Sequence, residues 1–269
     1  MGKYFNVDLI PDCIAGDVSD NNGADIDAGD IIFGWTAVDV PKGSSAITSI
    51  SAIVNAEDGA YGAGSLTDYE LLFAKSVNGV APPSLGDIGA AQTACGELRH
   101  HLIGSARLES TAAIATLSKT AFHVVYTNSA PNTGNSTNAG SAVPIVMDLE
   151  PESGTNVGYD KLYVAGLQVG VRAYGTGVLL DLASDADYDA DGGTGGVNEI
   201  AVDGVDATKI FSVGDTVYVH DLDTQIPGTL TKVEALKLTF SEVNSTVDIS
   251  NNDELLNANP IRIKLGFER

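Results

Sequence analysis

Short runs of β-branched and aromatic residues, each stopped by turn chemistry, constrain this chain more than any other feature. Residues 31–40 (IIFGWTAVDV) end at Pro41 and a Lys42-Gly43 turn, and residues 46–55 (AITSISAIVN) alternate apolar with small polar side chains. A two-residue period of this kind belongs to a half-buried strand. Residues 3–10, 69–77, 102–109, 121–127 and 141–149 read the same way, and 161–182 hold two further strand-like runs. Trp35, the single tryptophan, is expected as a core anchor. One short helix is expected from Ile88, capped by Asp87 after Pro82-Pro83. Strands in this number without alternating helices indicate an antiparallel sandwich of the jelly-roll kind.

Past residue 182 the runs become shorter. Residues 197–204, 207–211, 213–221, 228–233, 236–243 and 260–267 read as small strands, with Gly214 and Pro227-Gly228 at turns. Residues 251–256 read as one helical turn. The expected architecture is therefore all-β: a sandwich over 1–182, then a small β-barrel over 183–269 with a last strand free to return and pair with the sandwich.

Composition supports this and removes several functions. Apolar residues make up 43% of the 269, enough for a sizeable core. Thirty glycines and nine prolines are in keeping with many tight turns. Against 36 acidic residues stand only 14 basic ones, a formal −22. Such a field repels nucleic-acid phosphates and anionic membranes, so other proteins are the expected partners. No run approaches the roughly 18 apolar residues of a membrane helix. The first twelve residues lack the apolar stretch of a secretory signal, and Cys13 and Cys95 are expected as free thiols of a chain made in a reducing cytoplasm.

The candidate site is Asp185, Asp187, Asp189 and Asp191, a carboxylate at every second position before Gly192-Gly193. From Asp187 the order D-x-D-x-D-G matches the first half of a calcium loop, whose hard ion needs several oxygens around a sharp glycine turn. The twelfth position is Asn198, with Glu199 one place late. The competing reading, and the expected one, is an acidic linker between sandwich and barrel held extended by its own repulsion. Calcium aside, no cofactor is expected.

No residue pattern points to catalysis. There is no G-x-S-x-G elbow, and His123 falls inside an apolar strand. His220 lies beside Asp221 and Asp223. Cys95, His100 and His101 fit no zinc spacing and lack a fourth ligand.

The segments KLYVAG…GTGVLL, then VGDTVYVHD…IPGTLTKV…LKLTF, within an acidic chain rich in Gly, Ser, Thr and Asn, resemble accessory virion proteins of tailed bacteriophages, including those of marine bacteria. The resemblance implies a non-enzymatic virion protein, often trimeric, that decorates or cements the outside of a capsid by binding the major capsid protein or other virion proteins. A tail, baseplate or head-fibre component is the first alternative. A calcium-dependent surface or carbohydrate-binding module is the second, and a polysaccharide-cleaving enzyme the third.

Overall fold

The computed structural model describes residues 4–13, 25–26, 28–43, 45–55, 68–93, 96–108, 114–117, 120–125, 144–150, 159–169, 172–173, 180–182, 198–203, 206–219, 224–243, 247, 249 and 253–269. In chain order come β1 (Tyr4–Leu9), β2 (Asp25–Ile26), β3 (Ile31–Pro41), β4 (Ser45–Asn55) and β5 (Tyr69–Lys75). A single-turn helix, α1 (Leu98–His101), leads into β6 (Leu102–Leu108), β7 (Ile114–Leu117), β8 (Thr120–Val125), β9 (Ile145–Met147) and β10 (Tyr159–Gln168). Then follow β11 (Arg172–Ala173), β12 (Leu180–Leu182), β13 (Glu199–Asp203), β14 (Val217–Val219) and β15 (Thr224–Gln225). The last four are β16 (Leu230–Glu234), β17 (Lys237–Phe240), β18 (Glu254–Asn257) and β19 (Ile261–Glu268). The protein is all-β, and its large sheets are antiparallel.

Two sheets face each other. The first runs β1-β19-β4-β8-β7, with β9 also on β4; the second runs β3-β10-β5-β6. Side chains alternate across each strand, so one face of each sheet points inward. Along β19, Ile261, Ile263, Leu265 and Phe267 are buried while Arg262, Lys264 and Glu268 are exposed. These apolar chains share one core with Ile47, Ile50 and Val54 of β4, and across the gap with Phe33, Val40, Phe73 and Leu162. A core drawn from two facing sheets makes a β-sandwich. Eight of its strands, numbered one to eight in chain order (β1, β3, β4, β5, β6, β8, β10, β19), read 1-8-3-6 in the first sheet and 2-7-4-5 in the second.

The outer face of the second sheet carries apolar residues too, and a strap covers it. Ile31, Ala165 and Leu167 pack with Leu85, and Trp35 and Leu72 lie against them with Ile88 and Leu98. Trp35 is half-buried there, and its indole N–H donates to Pro83 O at 2.9 Å. The helix expected from Ile88 does not form. Gly86 and Gly89 take φ of +125° and +78°, and the segment bonds to β3 instead, with Ile31 N donating to Ala90 O and Gly89 N to Ile31 O. Left-handed glycines end a helix rather than extend it.

β2 and β11 pair with each other alone, and the seven strands left form a third large sheet, β15-β14-β18-β12-β13-β17-β16. It rolls round its own core, which includes Ile200, Val217, Ile226, Leu230, Leu238, Phe240 and Leu255. The segment leading into β14 meets the start of β16 at the far end of the order: Gly214 N donates to Leu230 O at 2.7 Å, and Leu230 N to Asp215 O at 2.9 Å. Three details depart from the sequence reading. Residues 207–211 are not a strand: the Asp206 carboxylate accepts from Thr208 N and its hydroxyl, and starts a 3-10 turn over Ala207–Lys209. Residues 254–257 are a strand, not a helical turn, because Leu255 is needed in the core and pairs with Val219. Leu180–Leu182 belong to this sheet and not to the sandwich, since Leu182 pairs with Val202 and Leu180 with Leu255. The division therefore falls between β10 and β12. The third sheet is an insertion between the seventh and eighth sandwich strands, after which β19 returns to lie between β1 and β4.

Candidate interaction surface

Asp185, Asp187, Asp189 and Asp191 lie outside the described residues, as do Cys95 and His220. The flanks of the acidic stretch are nevertheless placed. Asp181 pairs with Asp203 and Leu182 with Val202, so residues 183–198 connect two adjacent antiparallel strands. This corrects the expectation of a linker between two bodies: both ends of the stretch are rooted in one sheet. An ion held there would brace the β12–β13 connection rather than fix an angle between sandwich and insert. Among the described residues no group of three or more His, Cys, Asp or Glu side chains is placed to hold a metal. We expect melting curves in EDTA, magnesium and calcium at matched ionic strength to coincide. A rise specific to calcium would restore the ion site.

Neither histidine of the Cys95 group is set up for zinc. His101 is buried with Nδ1 2.9 Å from Lys75 O, and His100 is exposed with Nε2 accepting from Arg99 Nε at 3.2 Å. His123 stands in β8 opposite Ala52. No helix among the described residues is long and apolar enough to cross a membrane.

One buried polar cluster joins the insert to the sandwich. Asn257 donates from Nδ2 to Asp215 Oδ2 at 2.8 Å and to Ile210 O at 3.1 Å, and Ser212 N donates to the same Asp215 oxygen. Next to it, Asn259 Nδ2 donates to Pro11 O, and Cys13 N to Ala258 O. These bonds tie the segment after β1 to the segment before β19. The cluster is a structural joint, with its donors and acceptors turned on one another. Burial raises the Asp215 carboxyl above its ordinary 3.8, opposed by the bonds from Ser212 and Asn257 and by the charge of Arg262. A folded state that holds the proton more tightly than the unfolded one loses stability as pH climbs from about 3.8 through the raised value. Asp215→Asn keeps one accepting oxygen, so its Tm should exceed that of the wild type near about pH 7 and match it below about pH 3. A Tm deficit of constant size at every pH would sink this assignment.

The opposite end of the sandwich differs in character. There β5 turns through Val77, Asn78, Gly79 and Val80, with Asn78 and Gly79 at φ of 53° and 77° and Val77 and Val80 exchanging backbone bonds. Two left-handed central residues are what a two-residue hairpin loop requires. Glu150 clamps this turn: its carboxylate accepts from Lys75 Nζ at 2.9 Å and from Asn78 N at 3.0 Å. The Lys75 hydrogen bond, followed by the Asn78 one, holds the Glu150 carboxyl below its usual range.

Beside the clamp, the first sheet presents a row across four strands at the same end. Tyr4 of β1 is opposite Glu268 of β19, Glu268 opposite Ala46 of β4, and Ala46 opposite Val146 of β9. Tyr4 is 72% exposed and Val146 73%. Val80, in the turn after β5, and Leu102 and Tyr159, which begin β6 and β10, are also exposed at this end, but they belong to the second sheet, and Tyr159 faces out from it on the side away from Tyr4. Charges at this end come in both signs: Lys75 with Glu150, Lys161 with Asp39, and Arg269 folded over Gly43 next to Glu268. The sequence did not single out these residues. Each is an isolated exposed apolar side chain in the linear chain, which is ordinary. Only the strand register lines Tyr4 up with Val146.

Comparisons with family models, with curated proteins and with solved structures found no match to this chain.

Proposed function

We propose that the chain is a non-enzymatic structural protein of a tailed-phage virion, made in the host cytoplasm, that decorates the outside of the capsid and strengthens it by binding the shell. The observation that carries this reading is the 1-8-3-6 and 2-7-4-5 strand order of the two facing sheets, which we read as a jelly-roll arrangement, an architecture used in viral capsid and lectin domains. Fold alone does not fix function. What favours a particle component is the combination of that order with the formal −22, which suits a soluble exterior position and a protein partner. A three-fold arrangement of copies fits the reading, because closed symmetric assemblies are the rule for such proteins.

Mass spectrometry of purified virions tests it. The chain should appear on the particle in copy numbers comparable with the major capsid protein, and particles stripped of it should melt at lower temperature. Its absence from the particle would overturn the proposal. Because jelly rolls also occur in lectin domains, a glycan array provides the counter-test: saturable sugar binding would move the reading to a carbohydrate-binding module.

A further inference from the structure

We infer that Asn78 is a self-modifying site: in the folded chain the backbone nitrogen of Gly79 attacks its side-chain amide, and water opens the resulting succinimide to aspartate or isoaspartate. Asn78 is exposed in the turn after β5, so water and hydroxide reach it. The next residue is glycine, and with no Cβ at position 79 nothing shields the attacking nitrogen. Gly79 N forms a bond to Asn78 Cγ while the Cγ–N bond of the amide breaks. The amide nitrogen leaves as ammonia, taking the proton that Gly79 N gives up. Water then adds at one of the two imide carbonyls and breaks its bond to Gly79 N. Opening at Cγ leaves aspartate, and opening at the backbone carbonyl leaves isoaspartate. Water is the only co-reactant.

The turn geometry decides whether the fold permits this. Closing the five-membered ring needs Cβ and Gly79 N eclipsed about the Cα–C bond of Asn78. Because substituents on Cα are spaced by about 120°, an L residue meets that condition at ψ near about −120°. With φ of 53° and 77°, Asn78 and Gly79 form a turn of the I′ kind. Its first central residue has ψ near about +30°, which turns the nitrogen away from Cβ. A II′ turn keeps φ near about +60° at that residue but sets ψ near about −120°, the value that ring closure requires. One rotation of the peptide plane between Asn78 and Gly79 converts the first turn into the second, and both close two-residue hairpins. Glycine at position 79 tolerates the change in sign of φ that the rotation imposes. The bonds that anchor the turn lie outside this peptide. Val77 and Val80 exchange N–H to O bonds of 2.9 and 3.0 Å, and Asn78 N donates to Glu150 Oε2 at 3.0 Å. The hairpin therefore stays closed while the one plane turns over. Either product places a new carboxylate beside Glu150, and isoaspartate also lengthens the loop by one backbone carbon, so modification loosens the clamp of Lys75, Asn78 and Glu150.

The inference concerns the isolated chain and does not depend on the virion reading, so either can fail alone. The test is peptide mapping by mass spectrometry of the native full chain aged at mildly alkaline pH, beside the same chain unfolded in urea. The other Asn-Gly pair of the sequence, Asn22-Gly23, lies outside the described residues and is scored on its own peptide. A minor turn state populated at about 1% or more lets Asn78 of the native chain convert within about a hundredfold of its rate in the unfolded chain. Urea below the unfolding transition should change the native rate by less than about twofold, because the rotation exposes no new surface. An Asn78 that converts more slowly than this in the native chain, or not at all, overturns the inference. So does a native rate that climbs beyond twofold in sub-denaturing urea, since conversion then waits for the hairpin to open.

Discussion

A chain ending at Pro260 should fail to form the sandwich, although all the other sandwich strands remain. The missing β19 is not a peripheral tail: it lies between β1 and β4 and hydrogen-bonds both along its length. Ile261, Ile263, Leu265 and Phe267 are at most 3% exposed, and the Phe267 ring stacks on Phe5 with centroids 4.8 Å apart. Burying each such side chain stabilises by about 1.5–3 kcal/mol, so four together rival the roughly 5–15 kcal/mol by which a whole domain is stable. The backbone of β1 would be left without its ladder as well. The insert should be spared, since its core contains no residue of β19. The measurement is circular dichroism and tryptophan emission of the truncated chain, with limited proteolysis. We expect Trp35 emission shifted to that of an exposed indole and a protected fragment beginning near residue 180. A truncated chain that unfolds cooperatively with Trp35 emission unchanged from the full chain would show that the sandwich closes without its eighth strand.

The same strand shows what was legible in the sequence. β4, β5 and β19 were readable from a largely period-two burial: in β19 the alternation of Ile261, Ile263 and Leu265 with Arg262 and Lys264 is visible before any partner is known. β3, buried on both faces at Ile31–Phe33, was readable from its β-branched and aromatic content instead. β12 was not readable as part of the insert. Leu180–Leu182 continues the composition of the strand runs before it, and what assigns it is pairing to Val202 and Leu255, contacts distant in sequence. At 251–256 local propensity pointed to a helical turn. The core's need for Leu255, and the bonds of the Asn257 amide to Ile210 O and Asp215, override it. The 3-10 turn at Ala207–Lys209 had a local signal, Asp206 two residues before Thr208, that was outweighed by β-branched Thr208 and Ile210. The acidic stretch stood out in composition, but composition does not say which strands its ends belong to. The exposed row on the first sheet was invisible for the opposite reason: Tyr4 and Val146 become neighbours of Glu268 and Ala46 only through the register of four strands.

Gly166→Val should be the most damaging single substitution in the second sheet. Gly166 lies in β10, the strand between β3 and β5, where the register with β3 shifts on either side of it. The Phe33 ring, 1% exposed, occupies the space a side chain would need: a Cβ built there falls onto the ring edge, 2.7 Å from Cδ1 and 2.8 Å from Cζ. Neither partner can yield cheaply. β10 is hydrogen-bonded on both edges, and Phe33 shares the main core with Phe73 and Leu162. Overpacking of this kind costs about 1–3 kcal/mol, and a branched side chain against an aromatic ring belongs at the upper end. In a domain of this size about 3 kcal/mol lowers Tm by roughly 6–12 °C. Gly166→Ala should fall between that and the wild type. Loss of glycine's backbone freedom is not the cause, because φ at Gly166 is not in the left-handed region. Steric conflict with one ring predicts a specific rescue: Phe33→Leu alone costs stability by leaving a cavity, yet combined with Gly166→Val it should cost less than the sum. A coupling of about 1 kcal/mol or more in that double-mutant cycle is expected. Strict additivity of the two, or a Gly166→Val chain as stable as the wild type, would mean that the ring does not hold the position against which β10 is bulged.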